Sequence, residues 1–192
     1  MKNCVLIGMM LALIAPVALA KEELVDNPAY KHWAAFKLGS TAKLVTTIKM
    51  EGEPLKSTVT QTLKELTAEK AVVEQAVEMT VQGHTAKRPG DTLVIMAKAP
   101  KDQAIPKPPM GGTATKKAEG DEELTVGEKK YKCHWEQYDV KGEMASGKMR
   151  VWTCSEVVGG LVKMQMDIEK TYDKPANGMS ITKELIEFKP AR

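Results

Sequence analysis

The sequence of 192 residues is poor in aromatic side chains, cysteine and enzyme motifs. Phe, Trp and Tyr make up 5% of the chain, so a core must be built mainly from aliphatic side chains and methionine. No G-x-S-x-G, H-E-x-x-H, G-x-G-x-x-G or G-x-x-x-x-G-K-[ST] pattern occurs. The three histidines, His32, His84 and His134, are scattered along the chain. We therefore predict a protein that is not an enzyme and has no cofactor or metal site; a hydrolase without a recognised motif stays an alternative.

A dense run of charges of one sign is also lacking. Lys and Arg number 28 against 25 Asp and Glu, for a formal net charge of +3, and the signs alternate finely. No basic stripe is interleaved with aromatic residues, so we expect no nucleic-acid partner. The acidic residues from Glu119 to Glu123 lack the residue order of a calcium loop and are interpreted as a solvated loop.

The only long apolar run lies at the amino terminus, from Val5 to about Val17. One lysine precedes this run and Ala18-Leu19-Ala20 follows it, an order that predicts a secretory signal peptide over 1–20, cleaved after Ala20. The run is too short for a comfortable membrane span, which needs roughly 20 apolar residues. We expect residues 21–192 to form one domain without a transmembrane segment, located in the periplasm or secreted.

A short amphipathic helix is predicted over 28–38. Asn27 can cap it, Pro28 suits its first position and Gly39 can end it. Trp33 and Phe36 lie on its apolar stripe, and we expect them to cap the apolar face of a sheet.

Strands dominate the rest of the chain. Apolar and polar residues alternate over 41–51 and 71–82, and a threonine-rich segment lies between them, so we predict an antiparallel meander of three strands. A helix over 55–82 is the alternative, because Leu, Lys, Glu and Ala are good helix formers. A proline-, glycine- and charge-rich segment over 99–122 predicts a flexible loop, and further long strands follow it. The predicted fold is mainly β: one strongly curved antiparallel sheet, or half-barrel, of about eight to ten strands.

Cys133 and Cys154 are expected to form a disulfide bond. A hairpin whose turn is centred between residues 143 and 144 places Cys133 opposite Cys154, and it also opposes Trp135 to Trp152 and Asp139 to Lys148. An exported protein meets an oxidising compartment, and closing a loop of about 20 residues contributes about 3 kcal/mol. Free thiols, a metal site and a catalytic thiol are the alternatives. A site that combined both cysteines with His134 is disfavoured, since neighbouring residues on a strand point to opposite faces.

Methionine is the abundant exception, with 12 residues in the chain. Several methionines fall in alternating strand patterns, where a thioether either fills the core or lines a deformable ligand cavity. We predict an apolar ligand face built from ten residues. They are Leu44, Ile48, Met50, Val77, Met79, Met149, Val162, Met164, Met166 and Ile168.

Two segments also carry a family resemblance. "NPAYKHWAAFKLGSTAKL" and "KMRVWTCSEVVGGLVKM" resemble exported bacterial proteins with NP-x-x-x-F-x-x-G-S and V-W-x-S-x-E-V-P-G-G patterns. Cys154 and Val158 depart from the second pattern, which has serine and proline there. The signal, helix and strands together resemble the half-barrel of the periplasmic lipoprotein carriers of LolA and LolB type. That resemblance implies binding of acyl chains on the concave sheet face under a helix.

Two functions follow from these patterns. The first is non-catalytic binding or carriage of a hydrophobic, lipid-like ligand in the cell envelope. It requires a pocket of several hundred Å³ and fails if side chains fill the concave face. The alternative is an envelope module that binds a protein partner through edge strands or the proline-rich loop, without a small-molecule ligand.

Overall fold

The computed structural model describes residues 23–81, 84–101, 107–142, 145–172, 174–176 and 178–191. The predicted signal peptide over 1–20 lies outside them. No helix in this part of the chain is long and apolar enough to cross a membrane. The elements, in chain order, are β1 Leu24–Asp26, α1 Pro28–Ala34, β2 Thr41–Lys49, β3 Leu55–Leu66, β4 Lys70–Val81, β5 His84–Met96, β6 Lys98–Pro100, β7 Thr113–Val126, β8 Lys129–Lys141, β9 Ala145–Thr153, β10 Leu161–Thr171, β11 Lys174–Pro175 and β12 Ser180–Lys189.

One large antiparallel sheet contains nearly all of these strands. Its order is β5-β4-β3-β2-β12-β10-β9-β8-β7, and the short β11 pairs with β10. The strands β5 and β7 form the two free edges, so the sheet is open. The small strands β1 and β6 pair separately. The predicted fold class, a mainly β half-barrel with one short helix in front, is confirmed.

The sheet curves strongly at the end where β8 begins. Tyr131 on β8 and Phe188 on β12 are separated by two strands in the sheet order, yet their rings meet edge to face with centroids 5.8 Å apart. The loop from Cys154 to Gly160 joins β9 to β10 at this end of the sheet. The concave side of the curved sheet is called the inner face below, and every strand of the sheet contributes side chains to it.

The helix forms for the predicted reasons but is shorter than predicted. The side chain of Asn27 accepts a hydrogen bond from the backbone N–H of Ala29 at 3.0 Å, and Pro28 occupies the first turn. Helix α1 ends at Ala34, whereas the sequence predicted residue 38, and Gly39 follows with a φ of +87°. Gly39 is therefore not the helix stop: the C-cap is Ala35, and Phe36, which follows it, packs on the core.

The segment over 55–82 is β-stranded, as the alternation indicated. Strand β5 follows and begins at His84. It contains Pro89 and Gly90, and its register against β4 shifts between Glu74 and Ala76. An edge strand tolerates proline at such a bulge because one of its sides needs no partner.

The predicted loop over 99–122 is wrong for its second half. Residues from Thr113 to Glu122 belong to β7, which pairs along its length with β8. The charged residues that suggested a loop lie on the edge strand of the sheet, where charge discourages pairing with another chain. Residues 107–112 remain outside strands, and the half-buried Met110 among them packs on the core.

Two groups of buried side chains make up the core. The helix cluster contains Trp33, Ala42, Leu44, Leu63, Ala71, Val73, Val126, Cys133, Trp152, Cys154, Val157, Val158, Val162 and Leu185. The methionine cluster contains Tyr138, Val140, Ala145, Met149, Val151, Met164, Met166, Ile168 and Ile181.

Candidate functional site

Strand register brings the predicted apolar residues of different strands onto the inner face. Met166 pairs with Met149 on one side and with Ile181 on the other, and Ile181 pairs with Ile48. Residues directly opposite one another share a face of the sheet, so these four side chains form a continuous row across β9, β10, β12 and β2. The neighbouring row contains Val151, Met164, Lys183 and Thr46.

An apolar groove of about 300 Å³ lies over these two rows. Its floor comes from the sheet, and Lys107 and Pro109 of the segment before β7 form part of its wall. The volume is at the lower end of the range for small-molecule sites. The lining residues are Thr46, Lys107, Pro109, Met149, Val151, Leu161, Met164, Ile181 and Lys183.

Lys183 is the unusual member of this lining. It alternates with Ile181 and Leu185 along β12, both of which are buried, so its stem enters the apolar inner face. Burial lowers the pKa of the Lys183 ammonium, because the charged form is poorly solvated there. No carboxylate lines the groove, and Lys183 has no ion-pair partner among the residues that the structure describes. Sequence reasoning missed Lys183; its position among alternating apolar residues was the available signal.

The predicted ligand face divides into three groups. Met149 and Met164 line the groove. Leu44, Val162, Met166 and Ile168 are buried in the core and do not line it. The remaining four residues do not line the groove. Ile48 and Val77 are half-buried, and Met50 and Met79 are exposed.

An exposed apolar strip continues from the groove toward β4. Ile48, half-buried, pairs directly with Leu55, and Met79 pairs with Ser57, which lies opposite the groove residue Thr46. Leu55 is 41% exposed and Met79 is 42% exposed. A contiguous apolar surface of this kind is a common feature of binding sites.

The predicted helix cap lies away from the groove. Trp33 is buried in the helix cluster, and Phe36 is half-buried against it. A side chain at Gly159 would lie 2.8 Å from the Trp33 ring, and Gly159 has a φ of +74°, so glycine is required there by both space and backbone. Helix α1 therefore packs on the turn before β10 and closes the other end of the inner face.

The hairpin register around the cysteines is confirmed. Trp135 pairs with Trp152 and His134 with Thr153, which sets Cys133 opposite Cys154 at the next position. Both cysteines are buried free thiols in the structure, so the predicted disulfide is not formed there. Burial, with the nearby Cys154 sulfur, raises the pKa of Cys133 to about 11. A thiol with such a pKa is a poor nucleophile, which argues against the catalytic alternative.

Asp139 and Lys148 are opposed, as predicted, but each forms an ion pair with a different residue. Lys117 lies 3.4 Å from the carboxylate of Asp139, and Lys148 lies 3.6 Å from that of Glu169. Each side chain pairs with a neighbour on its other side because exposed long side chains choose among several partners at little cost.

The two tryptophans do not simply stack on each other. The Arg150 guanidinium lies 4.5 Å from the centre of the Trp135 ring and 5.6 Å from that of Trp152. Arg150 also donates to the Gln137 side chain at 2.7 Å. This cation–π arrangement holds the two tryptophans in place.

A second groove, of about 660 Å³, runs beside the cysteines and carries polar groups. His32, Glu122, Cys133 and Cys154 are among its lining residues. His134 lies there too, with Nδ1 at 3.1 Å from an Asp121 oxygen. The sulfurs and His134 are not gathered into one ligand set within the described residues.

Glu119, His134 and Glu136 form the one group with metal-ligand spacing found in the described part of the chain. The ammonium of Lys116 binds both carboxylates, and Tyr138 donates to Glu136 at 2.6 Å. These contacts lower the pKa of Glu119 and of Glu136, although burial of Glu136 opposes the effect there. A cation already neutralises the acids, so the group is a surface ion-pair network.

Comparisons with known proteins find two distant structural neighbours. No family model matches the chain. No curated protein matches it. Among solved structures, a DUF1329 family protein from Desulfovibrio piger aligns over 84% of this chain and 90% of its own, at 7% identity and a TM-score of 0.29. A LolA superfamily protein from Nitrosomonas europaea aligns over 88% and 94%, at 8% identity and a TM-score of 0.22. The second neighbour agrees with the resemblance seen in the sequence, but these TM-scores carry no argument about function.

Proposed function

We propose that the protein binds and carries a hydrophobic, lipid-like ligand in the groove on the inner face of its sheet. The observation that supports this most is the unfilled apolar groove over Met149, Val151, Met164 and Ile181. Groove and exposed strip together offer apolar surface that water covers poorly. The groove is small, so a single extended chain is a better fit than a bulky multi-chain lipid.

Methionine suits this role. Met149 and Met164 contribute unbranched, polarisable side chains to the lining, which adapt to ligands of differing shape. Neither residue belongs to a constellation of polar groups that could perform chemistry. Binding without catalysis is therefore the function that the groove supports best.

Two substitutions on one strand test this proposal. Thr46 lines the groove, and Thr47 is its neighbour on the opposite face of β2. Thr46→Trp should fill the groove and weaken binding of an uncharged naphthylamine probe about tenfold or more, whereas Thr47→Trp should leave binding within about twofold of the native protein. Equal binding by all three proteins, or no binding by the native one, would refute the proposal.

We infer that the chain is exported, with cleavage after Ala20, and that Cys133 and Cys154 then become a disulfide. The opposed register supports the bond. An oxidoreductase disulfide would accept the two electrons and two protons that the thiols lose, and would itself become two thiols. The mass of protein recovered from a periplasm tests both points: it should begin at Lys21 and lie two hydrogens below the dithiol form. A retained leader or two alkylatable thiols would contradict them.

A second candidate, an envelope protein-interaction module, is favoured by a different surface. The edge strand β5 exposes Val94 and Met96 on one side and Leu93 on the other, with exposed fractions of 58%, 48% and 37%. A free edge with apolar side chains can accept a strand from a partner. The double variant Val94→Lys, Met96→Lys should abolish partner binding and leave probe binding intact. A variant that lost probe binding but kept partner binding would argue against this candidate.

A further inference from the structure

The groove contains a cation that the apolar lining does not explain. Lys183 lies between Met164 on β10 and Thr46 on β2, in the middle of the inner face rather than at its rim. Aliphatic residues usually occupy such positions, because an ammonium that is partly removed from water and has no partner is costly. Ile181 and Leu185, its neighbours on the same face of β12, follow that rule.

Among the residues that the structure describes, none around Lys183 provides a compensating charge. The strand residues that line the groove beside it are Met149, Val151, Leu161 and Met164, and the second charged side chain at the groove is Lys107, also a cation. Two other lysines of the sheet do pair with carboxylates: Lys163 on the outer face lies 2.9 Å from Glu184, and Lys64 lies 2.8 Å from Glu74. The groove therefore combines apolar walls with uncompensated positive charge.

We propose that the ligand is a single-chain fatty acid whose carboxylate binds Lys183 while its hydrocarbon chain lies on the methionine-lined floor. This inference rests on the proposed function and specifies its ligand class. A carboxylate carries one negative charge, which matches one ammonium inside the groove; a phosphate would need more donors, and arginine is the residue best suited to it. The groove volume of about 300 Å³ fits one chain.

Electrostatics and burial act together in this arrangement. An ammonium–carboxylate contact is stronger in an apolar groove than in water, since the local dielectric response is weaker. The ligand would also restore the favourable environment of the Lys183 ammonium, whose pKa burial now lowers. Lys107, exposed at the mouth of the groove, adds to the attraction of an approaching anion.

Displacement of the uncharged naphthylamine probe by matched amphiphiles tests the proposal. Dodecanoate, dodecanol and dodecyl phosphate have the same chain and differ in the head group. In the native protein, dodecanoate should displace the probe at a concentration about tenfold lower than dodecanol, the gain expected of one charge-assisted hydrogen bond. Butyrate, which has the carboxylate but little chain, should not displace it.

Lys183→Met is the decisive variant, and Lys56→Met, an exposed lysine on β3, is its charge-matched control. Lys183→Met should lose the preference for dodecanoate over dodecanol, whereas Lys56→Met should keep both native probe binding and that preference. Equal displacement by acid and alcohol in the native protein, a preference that survives in Lys183→Met, or tighter binding of dodecyl phosphate would each overturn the fatty-acid assignment. Failure of the probe to bind native protein would instead refute the proposed function.

Discussion

The helix cluster and the methionine cluster accommodate a polar side chain in different ways. Ser40, beside the helix cluster, is fully buried, and its hydroxyl accepts a hydrogen bond from the backbone N–H of Ala191 at 2.8 Å. Lys183, beside the methionine cluster, has no such partner in the described part of the chain. A region that only maintains the fold satisfies its polar groups internally. A region that leaves a half-buried cation without an ion-pair partner next to a groove has the character of a binding site.

The two clusters also differ in how they are closed. Helix α1 and the Gly159-Gly160 turn cover the helix cluster with Trp33 and His32. The methionine cluster is covered in part by residues around Met110 and Met179, and a groove stays open beside them. Stability and ligand binding should therefore respond to mutation at different ends of the same sheet.

The largest expected effect is loss of Trp33. Trp33→Ala should lower the free energy of unfolding by about 4 kcal/mol, because a large buried ring leaves a cavity that its rigid glycine neighbours cannot fill. Urea unfolding measures this effect, and Leu38→Ala, at a side chain 55% exposed, should cost no more than about 0.5 kcal/mol. A similar loss of unfolding free energy in both variants would contradict the conclusion that the helix cluster stabilises the fold.

Reduction of the proposed disulfide comes next. Reducing agent should lower the free energy of unfolding of the oxidised protein by about 3 kcal/mol, as expected for a closed loop of about 20 residues. Cys133→Ala with Cys154→Ala should be insensitive to reducing agent. Probe binding in the apolar groove should be unchanged in both cases, since neither cysteine lines that groove. A loss of probe binding together with the loss of stability would show that the two ends of the sheet are coupled.

Two methionines separate packing from binding. Met166 is fully buried and does not line the groove, so Met166→Ala should cost about 3 kcal/mol of stability. Met79 is exposed on the strip beside the groove, so Met79→Ala should change stability by less than about 0.5 kcal/mol and weaken binding of a long-chain ligand several-fold. Unfolding curves and probe displacement together check both; a reversed pattern would show that the strip is not part of the site.

Lys183→Met should stabilise the protein, in contrast to the other substitutions. Removing a poorly solvated ammonium from an apolar groove should raise the free energy of unfolding by about 1 kcal/mol. Thermal unfolding of ligand-free protein measures the change. A destabilised variant would mean that Lys183 has a structural partner, and the ligand assignment would lose its main argument.

The smallest effect concerns His32. Burial lowers the pKa of His32 in the folded protein below 6.5. The unfolded chain therefore binds the proton more readily, so stability should fall as the pH decreases through 6.5 toward the folded-state pKa and lose nothing further from this group below it. His32→Gln should flatten that part of the stability profile; an unchanged profile would assign the slope to other groups.

Sequence patterns predicted much of this fold because the alternation of apolar residues is a local property. The capping residue Asn27, the hairpin register around Trp135 and Trp152, and the shared face of Met149 and Met166 all follow from spacing alone. The edge strand β7 was mistaken for a loop because its charges hide the alternation, and only its pairing with β8 identifies it.

The site was predicted less completely than the fold. Alternation indicates which residues share a face, but it does not show which of them surround empty space. Met166 and Ile168 satisfy the pattern and fill the core, whereas Leu161, Pro109 and Lys183 line the groove without having been expected there. Packing among distant segments decides this difference, and single-sequence patterns do not contain it.

The most direct test of ligand binding on the inner face is the NMR spectrum of protein labelled with ¹³C at its methionine methyl groups. Titration with dodecanoate should shift the Met149 and Met164 signals strongly and saturably, shift Met79 less, and leave Met96 on the edge strand unchanged. Thr46→Trp should abolish the shifts. Unchanged Met149 and Met164 signals in native protein, or shifts confined to Met96, would contradict a ligand site on the inner face.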